Sequence, residues 1–188
     1  KSGYINSDIA TKTDIPVKVI TNPTIILAED AFVYDGSAKE PAITVKDGDV
    51  VVSADEYVVN YSNNTNAGTA SVTVSDQTAG DYQANGLTQT FTISPKSIGN
   101  GTIATGFSFS LDKDNNVIIT DVALGKTLEL STDYTVGESV SGRYSTKTVL
   151  GSGNYGGNFV FKIAVAHFAT VANQAEWSAT FVAESSDV

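Results

Sequence analysis

The sequence predicts an all-β protein made of two tandem sandwich domains with short flanking segments. Three observations carry that prediction. Apolar residues alternate with polar ones at a period of two, turn-forming dipeptides fall between the alternating stretches, and one pattern occurs twice along the 188 residues.

The alternation is visible in five places. Ile43 and Val45 alternate with Thr44 and Lys46; Tyr57, Val59 and Tyr61 share a face; Val72 and Val74 alternate with Ser71 and Thr73. Phe91 and Ile93 alternate with Thr90 and Thr92, and Phe159, Phe161, Ile163 and Val165 share a face. Successive side chains of a strand point to opposite faces, so this period describes strands with one packed face and one wet face. Asp35-Gly36, Asp47-Gly48, Asn85-Gly86 and Asn100-Gly101 supply the positive-φ residues that tight turns require. Turns roughly 8–12 residues apart mark a sandwich or barrel. The strongest helix candidate is "ATVANQAEWSATF" near the C-terminus, which reads equally as two short strands.

The repetition is kept in order. "ADEYVVNY" lies over "STDYTVGE", with Tyr57 on Tyr134 at an offset of 77. Gly68 falls on Gly142 at 74, Tyr82 on Tyr155 at 73 and Phe91 on Phe161 at 70. A steadily shrinking offset is what small deletions in a second copy produce. The expected domains are residues 24–95 and 96–165, with flanking segments 1–23 and 166–188. "DIPVKVI" in the first flank reads as a strand added to the first sandwich or as the end of a preceding domain, and residues 166–188 as the start of a third domain. "ISPKSI", Ile93 to Ile98, reads as a short linker stiffened by Pro95. A domain of ~75 residues buries only about 60% of its unfolded surface, so the two copies are expected to pack end to end.

The first copy resembles the tandem immunoglobulin-like repeats of large bacterial secreted and cell-surface, adhesin-type proteins. The residues that carry the likeness are Tyr34, Gly36 and Pro41 at its opening, then Glu56-Tyr57, Val59, Tyr61, Asn63, Asn64, Gly68, Thr69 and Ala70. Gly80, Tyr82, Phe91 and Ile93 close it. The second copy keeps "TDYTV", "GNY" and "FKI" but lacks the Tyr-x-Gly opening and the Asn-Asn-x-x-x-Gly-Thr-Ala run. The resemblance implies an immunoglobulin-like β-sandwich in each copy, used as a spacer or adhesive module outside the cell, with no catalytic residues.

Composition narrows the functional classes. The net charge is −10 and Arg143 is the single arginine. Nucleic-acid binders neutralise phosphates with Lys and Arg, so this chain would repel a phosphate backbone. No apolar run approaches the ~18 residues a membrane helix needs. With no cysteine and one histidine, His167, thiol chemistry and Cys/His zinc sites are excluded.

Five groups of residues invite a chemical reading. "GSGNYG", Gly151 to Gly156, has the G-x-G-x-x-G spacing of a dinucleotide loop. That loop needs a helix after it, and a strand-like "NFVFKIAV" follows instead, so a Gly-rich turn is expected. Asp112, Asp114 and Asn116 alternate as a calcium loop begins, but Val117 stands where that loop needs glycine and Ala123 where it needs glutamate. The plain alternative is a hairpin tip; calcium is the one cofactor this spacing suggests. Scattered carboxylates and His167 could serve hydrolysis only if the fold gathered them in a cleft. Tyr155 and Trp177 are the candidate glycan contacts, since flat rings stack on sugars. Tyr82 and Tyr155 fall at equivalent turns, which suits rings capping each sandwich with hydroxyls bonded to backbone. The expected function is a non-catalytic spacer or adhesion module, with other domains of the same polypeptide and host or matrix proteins or glycans as partners. The alternative is a carbohydrate-binding module.

Overall fold

A computed structural model of the chain describes residues 18–77, 82–83 and 86–165. Among them the fold is all-β and sandwich-like, with one 3-10 turn and no α-helix. No helix there is long and apolar enough to cross a membrane. The candidate helix at 169–181 lies outside the described residues, as do His167 and Trp177.

The strands follow the alternating stretches. The first run comprises β1 (Lys18–Val19), β2 (Pro23–Leu27), β3 (Ala31–Val33), β4 (Ile43–Asp47) and β5 (Val50–Val51). After the 3-10 turn Ala54–Glu56 come β6 (Tyr57–Ser62), β7 (Gly68–Asp76), β8 (Tyr82–Gln83) and β9 (Leu87–Ser94). The later run comprises β10 (Lys96–Ile103), β11 (Phe107–Leu111), β12 (Val117–Asp121) and β13 (Lys126–Thr127). It ends with β14 (Tyr134–Ser141), β15 (Tyr144–Gly151) and β16 (Tyr155–Ala164).

These strands form sheets in the orders β2-β4-β5, β3-β9-β7-β6, β11-β12-β13 and β10-β16-β15-β14, with β1 paired to β8. Two chains of pairing run in parallel along the sequence. β2 pairs antiparallel with β4, Pro23 opposite Asp47, as β11 pairs with β12, Phe107 opposite Asp121. β6 pairs with β7, Tyr57 opposite Asp76, as β14 pairs with β15, Tyr134 opposite Gly151. Lys18 pairs in parallel with Tyr82, as Lys96 does with Tyr155. β3 has no partner of its kind in the later run. There a five-residue hairpin, 112–116, joins β11 to β12 where the earlier run inserts 28–42 between β2 and β4.

The chain divides into two compact units, each discontinuous in sequence. Among the described residues the first holds 18–30, 40–62, 71–77, 82–83 and 86–91, and the second holds 31–39, 63–70 and 92–165. The grouping therefore departs from the expected 95/96 boundary, because β3, the turn after it and the 63–70 segment pack with the later strands. The core of the first unit is Ile20, Val45, Val52, Tyr57 and Val74, with Ile25, Ile43, Val59, Tyr82 and Leu87 packed around it. Lys18–Val19 thus adds a strand to the first unit's core edge. In the second unit Ile98, Ile119, Tyr134, Val149, Tyr155 and Phe159 are buried. The Tyr134 hydroxyl donates to the Val117 carbonyl at 2.6 Å, tying β14 to β12.

The expected linker is not one. β9 runs to Ser94 and β10 starts at Lys96, so only Pro95 interrupts the strands. Ile93 and Ile98 are both buried, which no free linker would allow. Pro95 fits there because its missing N–H falls between two ladders.

Candidate functional site

A group of polar and aromatic side chains of the second unit, Lys96, Asp121, Tyr155, Lys126, Asp133 and Tyr34, converges at one end of its core. Strand register puts them there. On β12, Val117, Ile119 and Asp121 share the inward face, so the alternation that buries two apolar side chains also buries a carboxylate. Asp121 is 0% exposed. Burying a lone carboxylate is costly, so it requires a partner. Lys96, the first residue of β10, supplies it: its Nζ lies 2.8 Å from Asp121 Oδ1 and 2.6 Å from Oδ2. The Leu124 amide donates to Oδ1 at 3.2 Å. The Lys96 ammonium also sits 5.1 Å from the Phe107 ring centroid.

Tyr155 stands beside this pair because its Cα is in register with Lys96. Its ring is 1% exposed and meets Tyr34 edge-on at 5.6 Å and Phe107 at 6.0 Å. The hydroxyl lies a long 3.4 Å from Asp121 Oδ2. Burial, then the carboxylate of Asp121, pushes the phenol well above its ordinary range, so it stays neutral. A second ion pair flanks the ring. Lys126 Nζ lies 5.4 Å from its centroid and 2.9 Å from Asp133 Oδ2, and that bond raises the lysine pKa.

The Tyr34-Asp35-Gly36 turn closes this end. Gly36, at φ 81°, lies against the Leu124 side chain. Asn154 fastens the neighbouring turn, donating to Asn66 Oδ1 at 2.9 Å while its Oδ1 accepts from the Ala67 amide at 2.8 Å. Tyr34 and the Asn66–Ala67 segment therefore hold the Tyr155 end of the second unit.

The other candidates lie apart from this cluster. The Gly151–Gly156 segment is a turn between β15 and β16, as expected from the strand that follows it. A Cβ on Gly151 would stand 2.7 Å from the Gly156 backbone, and Gly153 has φ 63°, so close approach and turn geometry explain these glycines. Asp112, Asp114 and Asn116 form the β11–β12 hairpin tip. Asp112 Oδ1 accepts from the Asp114 and Asn116 amides at 2.8 Å each, and Oδ2 from Asn116 Nδ2 at 2.9 Å. These bonds, Asn116 foremost, hold its carboxyl below the ordinary range. Asp114 pairs with Lys113. Among the described residues no three His, Asp or Glu side chains gather in a metal-holding group. A shallow cavity of about 220 Å³ beside the hairpin is lined by Asn116, Leu130, Val136, Glu138 and Lys147. It is smaller than ordinary ligand pockets, and Glu138 and Lys147 pair across it at 2.9 Å.

Two expectations about the tyrosines need correction. Tyr155 offers no open face to a sugar, because Tyr34 and Phe107 occupy its surroundings. Its hydroxyl turns to a carboxylate and not to backbone, since the inward Asp121 is the nearest acceptor; Tyr82 likewise accepts from Lys18 Nζ at 3.1 Å. Sequence reasoning passed over Lys96, Asp121 and Tyr34 as a group. The signal was available in "VIITD", where Asp121 falls in step with Val117 and Ile119. A search against protein-family models, curated proteins and solved structures found no match.

Proposed function

We propose that this chain is a non-catalytic spacer or adhesion segment of a bacterial secreted or surface-displayed protein, built from two tandem immunoglobulin-like modules. The observation that carries this reading is the closure of the Tyr155 end by the Tyr34 turn and the Asn66–Asn154 bond. A stalk needs successive modules braced against bending and proteolysis, and here the motif residues of one copy do the bracing for the next. The matching strand registers, Tyr57 with Tyr134 and Tyr82 with Tyr155, support a duplicated module. Partners would be the neighbouring domains and, for adhesion, host or matrix proteins or glycans. The carbohydrate-binding alternative loses Tyr155 to the core and rests on Trp177.

The test is limited proteolysis joined to a glycan array. The intact chain should resist cleavage at residues 63–70, and Tyr34→Ala should speed it about tenfold by opening that segment. Equal rates would remove the bracing role. Saturable glycan binding abolished by Trp177→Ala would transfer the reading to carbohydrate binding, and turnover of any glycan or peptide would remove both.

A further inference from the structure

The strand order of the second unit decides how it meets a pulling force. Its opening strand β10 lies at the edge of the sheet β10-β16-β15-β14, so β16 is the one strand that holds it in that sheet. The two run parallel, Lys96 opposite Tyr155 and Gly101 opposite Phe159. The chain enters β10 at Lys96 and leaves β16 after Ala164. A pull along the chain therefore acts on the starting end of β10 and the finishing end of β16, in opposite directions, and loads the ladder in shear. The evenly spaced bonds of a parallel ladder lie across that load and share it, so they must fail together. A pull at one end of an antiparallel pair breaks its bonds in turn, which needs less force.

Two further features oppose sliding. The register is interrupted between Ser97 and Asn100, where β10 carries one residue more than β16. Two glycines nest at this bulge. A Cβ on Gly157 would collide with the Gly99 carbonyl oxygen, and one on Gly99 would stand 2.7 Å from that of Asn158. Sliding β10 one residue toward its start would bring Asn100 to the place of Gly99, where its side chain has no room. At the end where the load enters, the Lys96 amide donates to the Asn154 carbonyl at 3.0 Å. The Lys96 ammonium is bound to the buried Asp121 on β12, a strand of another sheet. The first residue of the loaded strand is thus fastened to both sheets.

We propose that the second unit is a force-bearing element, in which the β10–β16 ladder is a shear clamp and the Lys96–Asp121 pair is its latch. The proposal rests on the spacer or adhesion reading above, which supplies the load: a segment strung between an anchor and a bound surface is pulled along its chain. It gives the buried ion pair a mechanical role, holding β10 to β12 at the point where the pull arrives.

The experiment is single-molecule pulling on the full chain. The sequence has no cysteine, so introduced cysteines define where the force acts. Ser94→Cys with Val188→Cys loads β10 and β16 in shear. Arg143→Cys with Val188→Cys pulls Tyr144 from Ala164, which face each other at the end of the antiparallel β15–β16 ladder, and so unzips the same unit. Ser94 and Arg143 are both exposed, so neither handle disturbs the core. Forced unfolding follows the barrier to unfolding, and at one loading rate the shear pair should need at least about twofold more force than the unzipping pair. Lys96→Met with Asp121→Ala should lower the shear force and leave the unzipping force as it was. Equal forces in the two geometries overturn the clamp, while the spacer or adhesion reading stands or falls on its own proteolysis and glycan tests. A shear force unchanged in the double variant overturns the latch.

Discussion

Lys18 and Lys96 occupy the same place in two pairing schemes and end in different electrostatic states. Each opens a strand in register with a tyrosine, and each faces an aspartate at the end of an adjoining sheet. Lys96 reaches its aspartate at 2.6 Å and that carboxylate is sealed from water. Lys18 stands 4.0 Å from Asp47 and bonds instead to the Tyr82 hydroxyl at 3.1 Å, the main cause of its raised pKa. Asp47 finds its partners in backbone amides, Asn22 foremost, and its pKa is lowered. Strand register thus places the pair, and the covering element decides whether it becomes a buried ion pair. At the end that Tyr34 closes the Asp121 carboxylate is fully buried, and it needs the ammonium. Lys18, whose side chain is 53% exposed, bonds to the phenol and leaves the carboxylate to the backbone amides.

The largest effect should follow from removing the covered ring. Tyr155→Ala deletes a buried aromatic in contact with two others, and about 3–5 kcal/mol should be lost in urea unfolding. Tyr82→Ala, at the open end, should cost clearly less. Equal losses would show that burial at the two ends does not differ in solution.

Asp121→Ala comes next. It strands the Lys96 ammonium among Phe107 and Tyr155, and breaking one side of a buried pair costs about 3–5 kcal/mol. Asp121→Ala with Lys96→Met should recover most of that loss, because no charge is then left uncompensated. Lys18→Ala should leave the unfolding midpoint close to that of the parent chain, as exposed pairs do. A Lys18 effect as large as that of Asp121→Ala would erase the contrast between the two pairs.

The alkaline limit of stability should report the same cluster. The pKa values of Tyr155 and Lys126 are both raised in the folded chain, the first by burial and the second by its bond to Asp133. The folded state keeps these protons after the unfolded chain has begun to release them near pH 10. Their contribution is therefore complete below about pH 10 and declines as pH rises through the folded values. Tyr155→Phe should flatten that decline in a pH series of melting temperatures. An unchanged slope would mean that the phenol titrates as it does in the unfolded chain.

Much of this fold was legible because period two and turn dipeptides are local signals. Val72 and Val74, Phe91 and Ile93, and Phe159 were all expected inward, and all are buried. What was not legible depended on distant cover. Nothing near Pro95 says that Ile93 and Ile98 are both buried, so the segment read as a linker. Nothing near Tyr155 announces Tyr34, which lies more than a hundred residues earlier, so the ring read as a candidate sugar platform. Asp121 was hidden by the habit of treating charges as exposed, although its register pointed inward.

The smallest expected effect concerns the hairpin 112–116, which stands where the earlier run carries the long 28–42 insertion. In that insertion β3 pairs with the end of β9, and Tyr34 caps the later core. The hairpin has only itself to organise. Asp112 does so by accepting from two amides and the Asn116 side chain, and Asn115 adopts φ 60° to close the turn. A calcium ion at Asp112, Asp114 and Asn116 would have to displace those bonds, for Asp112 offers its oxygens inward to the turn. Added calcium should then leave the melting temperature within about 1 °C, since a ligand stabilises only in proportion to its occupancy of the folded state. Asp112→Ala should lower it slightly, with or without the ion. A calcium-dependent rise that vanishes in Asp112→Ala would show that the tip opens to ligate the metal, and that the shorter connection is a binding loop in its own right.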